Sequence, residues 1–320
     1  MRRALVAMLW CGCRWNFDAL PDGEGDAAPD DAAMPASCAN LAATCGPSQS
    51  SSCCATVVIP GGSYFRGYDV ATDGLHSTTM FPATVSAFRL DTYEVTLGRF
   101  RAFVEAGRGT QAAPPSAGEG AHPNIASSGW SPTWNALLPT DTAALIASLS
   151  CSTYPSWTPA PDGKEALPMN CISWAVAAAF CVWDGGYLPT EAEWHFAASG
   201  GDEQRAYPWS VPAGATTIGC ELADYQGCAP GGPSNAGSRS PTGDGRWGNA
   251  DLAGNVWEWM LDYDSAMPMP CTDCLNLVPS EGHVLRGGSI ASTTDNLRVA
   301  DRYGGAARGD HIGVRCARPL

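Results

Sequence analysis

The stretch LPTEAEWHFAASGG, Leu188 to Gly201, decides how this chain is read. Pro189 precedes Thr190, and Glu193 follows three residues after that threonine, the spacing of a capping box. The box predicts a helix over Glu191 to Ala198. Trp194 and Phe196 within it are expected in the core, because buried aromatics carry much of a protein's packing energy. Three more phrases follow in order: DLAGNVWEW (Asp251 to Trp259), LRGGS (Leu285 to Ser289) and GVRCA (Gly313 to Ala317).

Upstream, VVIPGGSYFRG reads as a strand, a Gly-Gly turn and a second short strand. Thr96 is a candidate N-cap for LGRFRAFVEAG; Phe100, Phe103 and Val104 share one helical face, and Gly107 ends the run. A second helix is expected in DTAALIASL, Asp141 to Leu149. A third is expected in ISWAVAAAFCVWDGG, with Ser173 as cap and Gly185-Gly186 as stop. Beyond Gly200 the pattern is short strands and long loops, and no internal repeat is visible.

The chain has 320 residues, enough for one large domain with additions. Charged residues are 16%, while Gly 36, Pro 25 and Trp 12 are all high, which suits a loop-rich fold held by aromatic packing. A net charge of -14 argues against nucleic acid, since phosphates would meet no neutralising surface. The five histidines are scattered without HxxxH or HExxH spacing, which disfavours a histidine metal centre.

Fourteen cysteines point to an oxidising compartment. The amino terminus agrees: Arg2 and Arg3, an apolar run Ala4 to Trp10, then Cys11-Gly12-Cys13. Residues 1–13 read as a signal of lipoprotein type with Cys13 as the lipidated residue, so that membrane association is through a lipid anchor; plain secretion is the alternative. Residues 14–37 form an acidic, Pro- and Ala-rich linker with no apolar periodicity, expected to be disordered. Residues 38–56 hold Cys38, Cys45, Cys53 and Cys54, read as two local disulfides in preference to a zinc site. The main domain is placed at 57–320. For the remaining cysteines, Cys151 with Cys171, Cys220 with Cys228 and Cys271 with Cys274 are the pairings expected. The last pair, Cys271-x-x-Cys274, is read as a structural bridge, with a redox-active pair as the alternative.

Taken in order, IPGGSYFRG, RLDTYEVTLGRFRAFV, PMNCISWAVAAAFCVW, LPTEAEW, YPW, GNVWEW, RGGS and GVRCA resemble the formylglycine-generating enzyme family, the sulfatase-modifying factor domain. The resemblance runs from residue 57 to residue 318. It implies an α+β fold of the C-type lectin-like kind, loop-rich with short strands and few helices and stapled by disulfides. It also implies a disulfide between Cys181 and Cys316, which by chain entropy would contribute ~4 kcal/mol.

Two further features follow from the resemblance. DLAGNVWEW corresponds to a structural calcium loop with the Asp251 carboxylate and the carbonyls of Leu252, Gly254 and Val256 as ligands, oxygens of the kind calcium selects. The alternative is a glycine turn in which Asn255 and Glu258 bond the local backbone. A second ion would take Asp224 and the carbonyl of Tyr225, although no further carboxylate stands in Gly227 to Gly232. The family's oxidation of a client cysteine uses copper(I) held by two thiolates, soft ligands that this ion prefers. Those positions fall near Thr294 and Val299, and no cysteine lies between Ser289 and Cys316. Copper is therefore not expected. The segment retains Arg298, Arg302, Asp301 and Asp310 as candidates to line a ligand groove, or a salt-bridged rim. The expectation is an exported, monomeric, non-catalytic binder of a protein, peptide or glycan; the alternative is a formylglycine-type oxidase.

Overall fold

The computed structural model describes residues 34–39, 41–228 and 231–320. The signal segment with Cys13, and the linker up to residue 33, lie outside the described residues. Ten short strands follow in chain order: β1 (Thr56–Ile59), β2 (Gly62–Phe65), β3 (Pro82–Val85), β4 (Phe88–Asp91), β5 (Trp257–Tyr263), β6 (Cys271–Thr272), β7 (His283–Arg286), β8 (Tyr303–Gly305), β9 (Ile312–Gly313) and β10 (Ala317–Arg318). Four α-helices accompany them: α1 (Leu97–Glu105), α2 (Thr142–Ser148), α3 (Trp174–Trp183) and α4 (Glu191–Ala198). The strands form three sheets, ordered β1-β4-β10, β2-β3-β6 and β8-β7-β5-β9. This is the loop-rich α+β architecture expected.

Helix starts follow local chemistry. Thr190 Oγ1 accepts from Glu193 N at 3.1 Å, and Glu193 Oε2 accepts from Thr190 N at 2.8 Å, so the capping box of α4 is complete. Thr96, Asp141 and Ser173 cap α1, α2 and α3 through their side chains. Nine of the ten residues of α3 are buried, as its near-continuous apolar sequence requires. Phe180 of α3 meets Phe100 and Phe103 of α1 with ring centroids 5.7 and 5.4 Å apart. Such aromatic pairs add ~1 kcal/mol each beyond their buried area. In β3 the small apolar residues Ala83 and Val85 alternate inward, whereas β5 is buried along almost its whole length.

Two groups of charges inside this core are paired. Arg99 bridges Asp91 at 2.8 Å and Asp184 at 2.5 Å, and Arg318 contacts the same two carboxylates. Two guanidiniums and two carboxylates thus tie α1, the end of α3, β4 and β10 together with no net charge. Arg315 lies against Glu258, which also accepts from Trp194 Nε1 at 2.6 Å. Glu258 therefore bonds across the core rather than to its local backbone, as the glycine-turn reading had it.

All twelve described cysteines pair: Cys38–Cys54, Cys45–Cys53, Cys151–Cys171, Cys181–Cys316, Cys220–Cys228 and Cys271–Cys274. The domain boundaries need adjustment at one end. Ser37, placed at the end of the linker, is buried, and its N–H donates to Asp184 Oδ1 at 2.7 Å. Cys45 and Cys53 pack on Tyr93, Ala236 and Ala250, so the stapled segment is part of the main unit, residues 34–320.

Candidate functional site

Asp251 opens the candidate ion loop in the left-handed region, φ 55°, and Asn255 closes it at φ 60°. Gly254 between them has φ 88°, and a Cβ there would meet the Asp224 carbonyl at 2.3 Å. Only glycine fits that approach. The buried Asp251 carboxylate accepts from Gly237 N at 2.5 Å. Burial pushes its pKa up to about 6, against the pull of the Gly237 N–H and Arg315. Glu94 lies close by and takes the Asn255 side chain at 2.6 Å and Val256 N at 3.2 Å. Its own pKa is raised well above the usual carboxylate range by burial, then by Asp251 and Glu258.

Leu252, Gly254 and Val256 are buried, and among the described residues no hydrogen bond ends on their carbonyl oxygens. Buried carbonyls normally find donors. A carboxylate beside three unclaimed carbonyls is a donor set suited to a hard divalent cation. Asp224 differs. Its carboxylate is taken by Arg239 at 2.5 Å, and the Tyr225 carbonyl accepts from Cys228 N at 2.8 Å. Those donors are occupied and do not fit a second ion.

The positions implied for copper do not form a donor pair. Val299 is closed into an apolar cluster with Trp194, Leu252, Met260 and Val284. Thr294 stands half-exposed at the start of a short 3-10 turn, its carbonyl accepting from the Tyr207 hydroxyl at 3.0 Å. A methyl-bearing hydroxyl and an isopropyl group offer copper(I) no soft ligand.

The four groove candidates have partners of their own. Arg298 is buried, with Asp69 at 2.6 Å and Asp73 at 2.6 Å. Arg302 reaches Glu191 at 2.8 Å and Asp264 at 2.5 Å. Asp301 accepts from the Asn296 side chain at 3.1 Å. Asp310 accepts from the backbone of Thr153 and Tyr154, each at 2.9 Å. Together they hold the 290–312 segment on the scaffold, the rim arrangement of the two considered.

Open concavity lies beside that segment. A cleft of about 390 Å³ is walled by Trp174, Trp259, Tyr263 and His283 and reaches Gly305 and Ala306. His283 stacks on Trp174 at 3.7 Å between centroids and on Tyr263 at 4.1 Å. Its Nδ1 is buried without a partner, and burial lowers its pKa to about 4. Sequence reasoning passed over this stack. Trp174 falls within the helix read from ISWAVAAAFCVWDGG, and an isolated histidine carries no spacing signal.

A loop of buried glycine-turn geometry, a capped helix locked to it by Trp194 and Glu258, and a last strand tied back by a disulfide define a formylglycine-generating-type scaffold. The sulfatase-modifying factor enzyme 1-like domain model matches residues 42–320, and the chain belongs to that family. It is 28% identical to the inactive C-alpha-formylglycine-generating enzyme 2 of Bos taurus, over 82% of this chain and 87% of that protein. It is 30% identical to the formylglycine-generating enzyme of Thermomonospora curvata, over 82% of this chain and 92% of the relative. Among solved structures, PvdO from Pseudomonas aeruginosa covers 83% of this chain and 94% of its own, with a TM-score of 0.56 at 20% identity. Treponema denticola variable protein 1 covers 83% and 95%, with a TM-score of 0.54 at 18% identity. These two likenesses concern the fold.

Proposed function

We propose that this chain is an exported, lipid-tethered, non-catalytic member of the family that binds a peptide or glycan of a partner. One observation carries the reading: between Ser289 and Cys316 there is no cysteine, and every described cysteine elsewhere is in a disulfide. Among the described residues, with the six bridges closed, no thiolate pair is left to hold copper(I). The relatives include proteins named as inactive and as active, so membership alone does not supply the reaction. The aromatic cleft beside Gly305 is the proposed ligand site, since flat rings with a few polar edges suit sugar faces and apolar peptide side chains.

Calcium is proposed as a structural ion on Asp251 with the carbonyls of Leu252, Gly254 and Val256. Its charge would offset the buried carboxylates of Asp251 and Glu94 and fix the turn; no step of a reaction is assigned to it.

Two measurements test the reading. Copper(I) titration of the purified protein with its six disulfides kept closed is expected to show no tight stoichiometric site, and a CxPxR peptide is expected to stay unoxidised. Tight binding with aldehyde formation would reinstate the oxidase. A glycan and peptide array is expected to give a ligand whose binding is lost in Trp174→Ala; retention of binding in that variant would move the site elsewhere.

A further inference from the structure

Arg66, the residue after β2, is 1% exposed, and no carboxylate stands within ion-pair distance of it among the described residues. Nη2 donates to the Pro268 carbonyl and Nη1 donates to Cys274 Sγ at 3.4 Å, while Nε has no partner. The other polar groups beside it do not neutralise it. Tyr64 donates its hydroxyl to the Ala192 carbonyl, and His195, whose pKa burial and then Arg286 hold well below the usual value, has an unpartnered Nε2. A buried cation without a counter-ion is costly, and proteins rarely keep one unless an anion is formed or bound there. Of the two groups that Arg66 bonds among the described residues, the Pro268 carbonyl and Cys274 Sγ, Cys274 is the one that can become an anion, as a thiolate.

We propose that Cys271–Cys274 is a reducible, redox-active disulfide whose reduced form is held by Arg66 as a Cys274 thiolate. The bond is reachable. Cys274 is half-buried, and Cys271 lines a groove of about 580 Å³ walled by Tyr64, Phe65, Tyr68, Val70 and Pro82. The loop is braced at its middle, where Asp273 accepts from the Ser86 backbone and hydroxyl and from the Asn124 side chain. Opening the bond therefore leaves the loop between the two sulfurs held at Asp273. No other disulfide sulfur among the described residues receives a hydrogen bond from a charged side chain.

The co-reactant is a dithiol, and the apolar groove favours one carried by an apolar peptide. A thiolate of the dithiol bonds to Cys274 Sγ as the Cys271–Cys274 bond breaks, and its electron pair leaves on Cys271. The second thiol then attacks the mixed disulfide and releases Cys274 as a thiolate beside Arg66. Two electrons pass to the protein, and the dithiol becomes a disulfide. Of its two protons, one goes to Cys271 and one to solvent. Stabilising the reduced thiolate makes the disulfide easier to reduce, as in other pairs whose reduced form is favoured.

The test is equilibration of the full chain in graded dithiothreitol and glutathione buffers, alkylation, and mass mapping of the six bridges. Cys271–Cys274 is expected to open first, with the fold intact by circular dichroism, and the reduced protein to show an ultraviolet thiolate band near neutral pH. Arg66→Met should demand about tenfold more reductant and abolish the band, and Arg66→Lys should restore both in part. Opening only with global unfolding, or an unchanged midpoint in Arg66→Met, overturns the proposal. If Arg66→Met is unfolded, the order of opening and the thiolate band in the unsubstituted chain decide.

Discussion

Arg315 and Arg66 are both essentially inaccessible, yet one is saturated and the other is not. Arg315 makes two-pronged contact with Glu258 and also donates to the carbonyls of Asp91, Thr92 and Ala250. Arg66 has a carbonyl, a disulfide sulfur and an idle Nε. The same side chain is cement in the first place and a poised charge in the second. The difference lies in the counter-ion, which here separates architecture from reactivity better than burial does.

The comparison is open to attack by mutation. Arg315→Met strands Glu258 in the core and is expected to cost about 3–5 kcal/mol by denaturant unfolding, because half of a buried pair is worse than none. Replacing both Cys181 and Cys316 with Ser is expected to cost about 2–5 kcal/mol in the same assay, since that bridge spans 135 residues. An acid-side loss is expected from His283. Its folded pKa is depressed from 6.5 to about 4, so the folded state resists a proton that the unfolded chain accepts. The stability it contributes is complete above 6.5 and is lost as pH falls toward about 4. Thermal melts across that window should show a drop of up to about 3 kcal/mol that is smaller in His283→Phe. Thr190→Ala breaks one capping box and should cost about 1 kcal/mol. Arg66→Met should change stability by less than ~1 kcal/mol, since it strands no carboxylate; a loss as large as that of Arg315→Met would erase the contrast.

Legibility in the sequence follows the range of the interaction. Capping by Thr96, Ser173 and Thr190 is settled within three residues, so the helices are readable before any fold is known. Cys151–Cys171 and Cys271–Cys274, expected from the sequence, form, and each joins residues near in the chain. The Cys181–Cys316 bridge was legible only through family phrases, because its partners lie far apart in the chain. The partners of Glu258, Arg298 and Asp310 were not legible. Each is set by strands or loops separated by scores of residues, and a single sequence carries no trace of that choice. The two ion loops illustrate the limit. Asp251 and Asp224 read alike as acidic residues at family positions, but only the structure shows Arg239 already lying on Asp224. Likewise, Arg66 reads as one more charge after a strand, and nothing nearby in sequence announces that it lacks a carboxylate.

β4 sits between β1 and β10, so the central strand of that sheet is flanked by strands more than 250 residues apart in the chain. Residues 316–318 supply the closing bridge, a sheet edge and Arg318, which completes the charge square with Asp91 and Asp184. Without them Arg99 would face the two carboxylates alone and Cys181 would lack its partner. A chain stalled or clipped just short of them would present an open sheet edge and a reactive sulfur, the features by which quality-control proteases and thiol oxidoreductases select their clients.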